Sequence, residues 1–182
     1  ITPPYHCGVL ESAGTWMPLG LVYIAGSLRA AGFDVEIYDA MALFDSLDDI
    51  RQRIRAYGPD VVGTAAYTSS IYAAIDVLKV AKEVNQSCLT LLGGIHPTFC
   101  WEEILEKSPE VDFVIRGEGE RTTADLLLHH FSGKAVDRVS GIAFRTDGRP
   151  KATRSRPQIR DLDSLPTAWD LIDWPKYSFK TK

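Results

Sequence analysis

The chain has 182 residues, of which 45% are hydrophobic and 24% charged, and a net charge of −4. That length suits one ordinary domain plus a short appendage. No apolar run approaches the roughly 20 residues that cross a bilayer, and no charged-then-apolar leader opens the chain, so the sequence argues against a transmembrane segment and favours the cytoplasm. Cys7, Cys88 and Cys100 are odd in number and lack short metal-ligand spacing, which argues against a disulfide framework or a zinc knuckle.

In chain order, Ile1-Thr2-Pro3-Pro4 reads as the exit of a strand, because two prolines cannot continue a central ladder; the strand itself is almost missing, as if the chain began inside a domain. Leu19 to Ala31 carries a helical apolar face (Leu21, Val22, Ile24, Ala25, Leu28) that stops at Gly32. Val35 to Tyr38 alternates at period two and delivers Asp39 to a strand end. Ser46 is placed to cap a helix running to Tyr57, with Asp48 and Asp49 in its first turn and Gly58-Pro59 as the break.

Val61 to Ala66 is a short apolar run suited to a parallel strand covered on both faces. Tyr67-Thr68-Ser69-Ser70 follows, then a helix to about Val84. Leu89 to Leu92 forms the next strand, Trp101 to Lys107 a short helix, Val111 to Ile115 a strand and Thr122 to Phe131 a helix. This βα alternation predicts a flavodoxin-like (Rossmann-like), doubly wound α/β fold with a five-stranded parallel sheet. The pattern then changes: Val139 to Arg145 and Lys151 to Arg154 flank Asp147-Gly148, a hairpin signal. The predicted organisation is an α/β domain over 1–135, a β-hairpin over 136–160 and a linker over 161–182.

Charge is uneven. Residues 1–140 hold 11 Lys/Arg against 19 Asp/Glu, and residues 141–182 hold 9 against 5. The basic set Arg145, Arg149, Lys151, Arg154, Arg156 and Arg160 lacks interleaved aromatic platforms and reads as solvated hairpin charge, which excludes a nucleic-acid partner from the prediction.

In an open parallel sheet, ligands sit outside the carboxyl ends of the strands. Four turns meet there if the fold is right: Tyr5-His6-Cys7-Gly8, Tyr67-Thr68-Ser69-Ser70, Gly93-Gly94-Ile95-His96-Pro97-Thr98, and Arg116-Gly117-Glu118-Gly119-Glu120. Glycines permit close backbone approach, although a Gly-Gly pair is also an ordinary turn. Helix N-termini offer free N–H groups to a nucleotide-like ligand, while Ser69 and Ser70 are equally explained as helix caps. His6 suits a metal and His96 a ligand hydrogen bond, but a single histidine beside a turn is also a structural residue. His129 and His130, at a helix C-terminus, answer the dipole. No Ser-His-Asp order, Walker lysine or G-x-G-x-x-G follows a strand, so the residues point to binding rather than reaction.

Taken together, Pro3-Pro4-Tyr5, Pro59 to Gly63, Gly93 to Phe99, Arg116 to Glu120 and the hairpin with Gly141 and Asp147-Gly148 resemble the cobalamin-binding domain that precedes the barrel of B12-dependent radical SAM enzymes. Tyr5-His6, Glu11 to Trp16, Asp39-Ala40-Met41 and Asp170 to Tyr177 narrow the likeness to the anaerobic oxidative cyclases of that family, which close the fifth ring of magnesium-protoporphyrin IX monomethyl ester in bacteriochlorophyll synthesis. The resemblance implies a full-length oxidoreductase using cobalamin, S-adenosylmethionine and a [4Fe–4S] cluster on a porphyrin-type substrate. The cluster and S-adenosylmethionine would belong to a downstream radical SAM domain, because this chain has no C-x-x-x-C-x-x-C and would be inactive alone.

Carried over by residue, the D-x-H-x-x-G of related cobalamin domains keeps only His6, without its Asp or Gly, as a lower ligand to cobalt. The S-x-L after the third strand becomes Ala65-Ala66-Tyr67, leaving Thr64, Thr68 or Ser69 as hydroxyl substitutes. Gly93 and Gly94 would flank the nucleotide tail, with Tyr5, Trp16 and His96 bordering the corrin and Tyr67, Pro97, Gly117 and Glu118 completing the cofactor contacts. The alternatives are the same domain in a methylase of this family, or a non-catalytic flavodoxin-like ligand-binding or interaction module.

Overall fold

The computed structural model describes residues 1–5 and 16–177. Its elements in order are α1 (Leu19–Ala30), α2 (Ala40–Leu43), α3 (Leu47–Tyr57), β1 (Val61–Ala65), α4 (Ile71–Val84), β2 (Leu89–Gly93), α5 (Ile95–Lys107), β3 (Phe113–Ile115), α6 (Gly119–Phe131), β4 (Ile142–Thr146) and β5 (Arg149–Ala152). None of the described helices is long and apolar enough to cross a membrane.

The sheet grows outward from β2, whose first four residues are all buried. It pairs in parallel with β1, from Val61↔Leu89 to Ala65↔Gly93, and with β3 through Leu91↔Phe113. Such a strand must be apolar on both faces because helices cover both. On one face Val62, Leu92 and Val114 pack with Ile50 and Ile54 of α3 and Val77 and Leu78 of α4; on the other Leu89, Leu91, Phe113 and Ile115 meet Leu126 and Leu127 of α6. The helix pairs α3·α4 and α1·α6 form the outer layers of this α/β fold.

The expected parallel strands are parallel, and the expected hairpin, read as separate, extends their sheet. The five strands form a mixed sheet, with β1, β2 and β3 parallel and β4 and β5 antiparallel to their neighbours. The hairpin is joined to the sheet: Phe113↔Phe144 and Ile115↔Ile142 are in register, and Ile142 and Ala143 are fully buried. Its turn takes positive φ at both Asp147 (50°) and Gly148 (74°), which suits the twist of a two-residue hairpin.

The two N-terminal strands contract to one parallel bridge, Thr2↔Asp39. Thr2 N–H donates to the Tyr38 carbonyl at 3.0 Å, and the Ile1 nitrogen donates to the Gly63 carbonyl at 2.6 Å. Pro3 and Pro4 have no N–H with which to extend the ladder. Residues 1–2 therefore lie between residues 38–39 and β1, which makes this the place where strand order reverses.

Two helices begin earlier than their periodicity predicts. α5 includes Ile95 to Phe99 and bends at Cys100 (φ −106°, ψ 22°); Pro97 belongs to its first turn, where a missing N–H costs nothing. α6 starts at Gly119 rather than Thr122. Ser46 caps α3 in a reciprocal box with Asp49, as its position predicted.

Arg145, one of the predicted solvated charges, is structural. Its Nη1 donates to the carbonyls of Leu105 (2.9 Å) and Ser108 (3.4 Å), and its Nη2 to those of Pro109 (3.0 Å) and Val111 (2.5 Å). It thus answers the unsatisfied carbonyls at the end of α5 and ties the hairpin to the body. Arg145→Met should lower stability in urea unfolding by about 2–3 kcal/mol, because these carbonyls lose a charged donor. The Ser46 hydroxyl and N–H hold the Asp49 carboxyl below its ordinary value of 3.8. A depressed folded-state pKa gives stability that is present above the unfolded value and is lost as pH falls through the folded one; Ser46→Ala should flatten that acid-side loss in melts taken from pH 5 downward.

Candidate functional site

At the carboxyl edge of the sheet the turns after β1 and β2 meet backbone to backbone. Gly94 has φ +100°, and a Cβ there would lie 2.5 Å from the Ala66 oxygen and 2.7 Å from its nitrogen. Ala66 N–H donates to the Gly93 carbonyl at 2.9 Å, and His96 N–H to the Ala66 carbonyl at 3.3 Å. Above this contact, His96 Nδ1 and Thr68 Oγ1 are 3.1 Å apart. The third turn joins through Thr98, whose hydroxyl donates to the Gly94 carbonyl (2.8 Å) and accepts from Gly117 N–H (3.0 Å). Three turns far apart in sequence are thereby fixed relative to one another.

On the face carrying α1 and α6, this edge is nearly bare. Gly63, Ala65 and Gly93 share that face by alternation with Leu89 and Leu91. Ala65 is exposed although its strand lies inside the sheet. A Cβ on Gly63 would meet only Leu91 Cβ at 3.8 Å, and one on Gly93 nothing nearer than Ile115 Cβ at 3.8 Å. The result is a main-chain floor on which an elongated ligand could lie. The N-termini of α4, α5 and α6 have no side-chain cap, so, apart from the His96 N–H already held by the Ala66 carbonyl, their first-turn N–H groups have no side-chain competitor for an anionic group. Ser70 does not cap α4; its Oγ accepts from Tyr67 N–H at 3.1 Å.

The remaining predicted site residues are distributed unevenly around this floor. Tyr5 is half-buried at the first strand exit, its N–H on the Pro3 carbonyl at 2.8 Å; His6 lies outside the described residues. Tyr67, Thr68 and Ser69 are exposed on the β1–α4 turn, and Gly117 is exposed on the β3–α6 turn. Pro97 is buried inside the first turn of α5. Thr64 shares the face of Val62, opposite the bare floor; its Oγ1 is buried with no hydrogen-bond partner. Glu118 does not face the floor alone: its carboxylate accepts from Ile159 N–H at 2.5 Å.

That last contact belongs to a strap formed by residues 155–177, which includes most of the segment read from the sequence as a linker, and whose partner surface is α1. It runs from the hairpin across α1, with Ala168 fully buried and donating its N–H to the Val22 carbonyl at 3.2 Å. Gly26, in the middle of α1, is the seat: a Cβ there would be 2.2 Å from the Pro166 oxygen. Arg29 pairs with Asp170 and Arg156 with Asp125. The strap ends where Tyr177 donates its hydroxyl to Asp39 at 2.9 Å, and burial beside that carboxylate pushes the Tyr177 phenol well above its ordinary range. A glycine inside an otherwise helical stretch was the available signal for this seat, and Thr98, four residues past Gly94, had none beyond its hydroxyl.

A cavity of about 700 Å³ opens elsewhere, beside residues 36–39, α3 and the end of the strap. Its charged groups are engaged with one another or with neighbours, as in Arg53–Glu36, Lys176–Asp173 and Tyr38–Asp45. Among the described residues no group of three His, Cys, Asp or Glu could hold a metal. The strand-end edge therefore offers backbone, hydroxyls and helix ends, and no free acid–base pair: a binding surface.

Residues 5–127 match the B12 binding domain family. The chain is 42% identical over 184 residues to the anaerobic magnesium-protoporphyrin IX monomethyl ester cyclase of Rubrivivax gelatinosus, covering 98% of this chain and 33% of that protein. It is 34% identical to an uncharacterized methyltransferase of Pyrococcus horikoshii, with 97% and 39% coverage. The fold is similar to that of the cobalamin-dependent S-adenosylmethionine radical enzyme OxsB, solved with aqua-cobalamin and S-adenosylmethionine, at TM-score 0.78 and 20% identity over 91% of this chain and 23% of that one. The chain thus spans between about 30% and 40% of the length of these curated relatives.

The two glycines should behave differently. Gly94→Ala meets both a positive φ and the Ala66 backbone and should cost about 2–4 kcal/mol in chemical unfolding. Gly93→Ala adds a methyl at ordinary van der Waals distance from Ile115 and Thr64 and should stay within about 1 kcal/mol of the parent. Equal losses would show that the interlock is not what requires glycine.

Proposed function

The chain belongs to the B12 binding domain family, and on that premise we propose that its strand-end edge holds cobalamin for a longer radical SAM oxidative cyclase acting on magnesium-protoporphyrin IX monomethyl ester. The observation that carries the first half is the bare floor of Gly63, Ala65 and Gly93, which leaves room for a nucleotide tail against main chain. The second half rests on the 38–42% identity to cyclases over nearly the whole chain.

Cobalamin supplies a cobalt centre able to change its ligands and its oxidation state. The chain's own residues bind and orient. Gly93 and Ala65 form the floor under the tail, and the uncapped start of α5 at Gly94 receives its phosphate. Thr68 and His96, already 3.1 Å apart, border the corrin together with Tyr5, Tyr67 and Ser69. Pro97 stiffens the first turn of α5, and Gly117 lets the third turn approach. Glu118, committed to Ile159 N–H, shapes the third turn rather than touching the cofactor. Thr64, buried on the opposite face, supports the floor from behind. His6 is the proposed lower ligand to cobalt.

S-adenosylmethionine and a [4Fe–4S] cluster would be held by a downstream radical SAM domain, together with the porphyrin-type substrate. The three cysteines at positions 7, 88 and 100 do not form a C-x-x-x-C-x-x-C, so the radical step belongs outside these residues. A methylase of the same family is the second reading, favoured by the 34% identity to the Pyrococcus horikoshii methyltransferase.

Titration of the 182-residue chain with hydroxocobalamin, followed by gel filtration and visible absorption, should give a coloured one-to-one complex. Gly93→Val should weaken it at least about tenfold, the equivalent of 1.4 kcal/mol, and His6→Ala should shift the visible spectrum. A chain that elutes colourless defeats the reading; a spectrum unmoved by His6→Ala removes that residue as ligand.

A further inference from the structure

Both ends of the strap are pinned by acidic residues of strand-end turns. Ile159 N–H is held by Glu118, after β3, and Tyr177 by Asp39, the residue bridged to Thr2. Between these points the strap crosses α1 at Val22, Gly26 and Arg29. α1 packs beside α6 on the face of the bare floor, with Ile24 3.1 Å from where a Cβ on Gly119 would lie. The strap thus holds a helix on the floor's side of the sheet and is itself tied to two of the strand-end turns.

The seat is not a fully satisfied interface. Ser27 Oγ and Glu120 Oε2 are sealed from solvent without partners, and both residues line a cavity of about 250 Å³ closed on one side by Ser164, Leu165 and Pro166 of the strap. Lifting the strap would return both groups to water, so the seated and lifted arrangements differ by opposing terms: buried Ala168 and Ile172 and two ion pairs against two unsatisfied polar atoms. The seat therefore sets favourable burial against an uncompensated polar cost.

We infer that seating of the strap across α1 and occupancy of the strand-end floor are thermodynamically coupled, so that a bound ligand fixes the strap and a fixed strap tightens the ligand. The inference rests on the cobalamin reading above. Coupling is reciprocal: the factor by which an unseated strap weakens the ligand equals the factor by which the ligand stabilises the seat.

The test uses hydroxocobalamin and the 182-residue chain. In the parent, saturating ligand should slow hydrogen exchange at the Ile159 and Ala168 amides at least about fivefold. Ala168→Asp, which unseats the strap without altering the sheet, should weaken binding by a similar factor while leaving the spectrum of the bound form unchanged. Gly26→Val, which blocks the seat from the helix side, should do the same, with circular dichroism melts checking that each variant is folded. Binding to the parent with no change in amide exchange, or unaltered affinity in folded variants, overturns the coupling and leaves the cobalamin reading standing. Absence of binding to the parent overturns both. The exchange measurement on the parent decides the matter even if neither variant folds.

Discussion

At the end of β1 and β2, two peptide backbones approach more closely than any side chain would allow. Gly94 has no Cβ because Ala66 occupies the space where one would be, and the same contact carries the hydrogen bonds from Ala66 to Gly93 and from His96 to Ala66. This constraint sets the start of α5, brings Thr68 to His96 and places Thr98 where it can hold Gly117. The geometry of the third turn, and through Glu118 the beginning of the strap, follows from it. The glycine pair divides its work: Gly94 locks the turns together, and Gly93 leaves the floor open.

The two ends of the parallel strands are built on different principles. At the amino ends of β2 and β3, the Asp112 carboxylate accepts from Lys82 Nζ at 2.6 Å and from Thr90 N–H at 2.9 Å, and Thr90 is fully buried. Polar groups there are answered by other polar groups, which is the pattern of a stabilising network. At the carboxyl ends three helices start without a side-chain cap and the side chains shrink to glycine and alanine. A fold with one end saturated and the other left open is suited to holding a ligand at the open end.

Much of this could be read from residue order because the determining interactions are local. Ser46 and Asp49 cap α3 within one turn, Gly58 ends it, and Asp147-Gly148 makes its hairpin turn from its own dihedral preferences. What the hairpin pairs with is a non-local choice, settled by the free edge of β3 and by Ile142 and Ala143 needing cover, and nothing near residue 142 specifies it. Pro97, read as part of a strand-end turn, lies in the first turn of α5: its chemistry forbids a helix interior yet permits a first turn, and only the position of Gly94 tells which applies. Likewise Glu118 sits in a glycine-rich turn that resembles a ligand loop, but its partner Ile159 is 41 residues away. Thr64 was assigned by its hydroxyl, and the alternation of β1 turns that hydroxyl away from the floor.

The hairpin also decides how the molecule meets its own copies. With β4 covering β3, the outermost strand of the sheet is β5, Arg149-Pro150-Lys151-Ala152. Proline withholds an amide from any incoming strand, and Arg149 and Lys151, both exposed, repel an identical neighbour laid alongside. Without this closure the rim would be β3, whose three residues are all buried and apolar, a template for indiscriminate strand addition. The appended hairpin therefore does for colloidal behaviour what the glycines do for recognition: it determines which surfaces of the sheet remain adhesive.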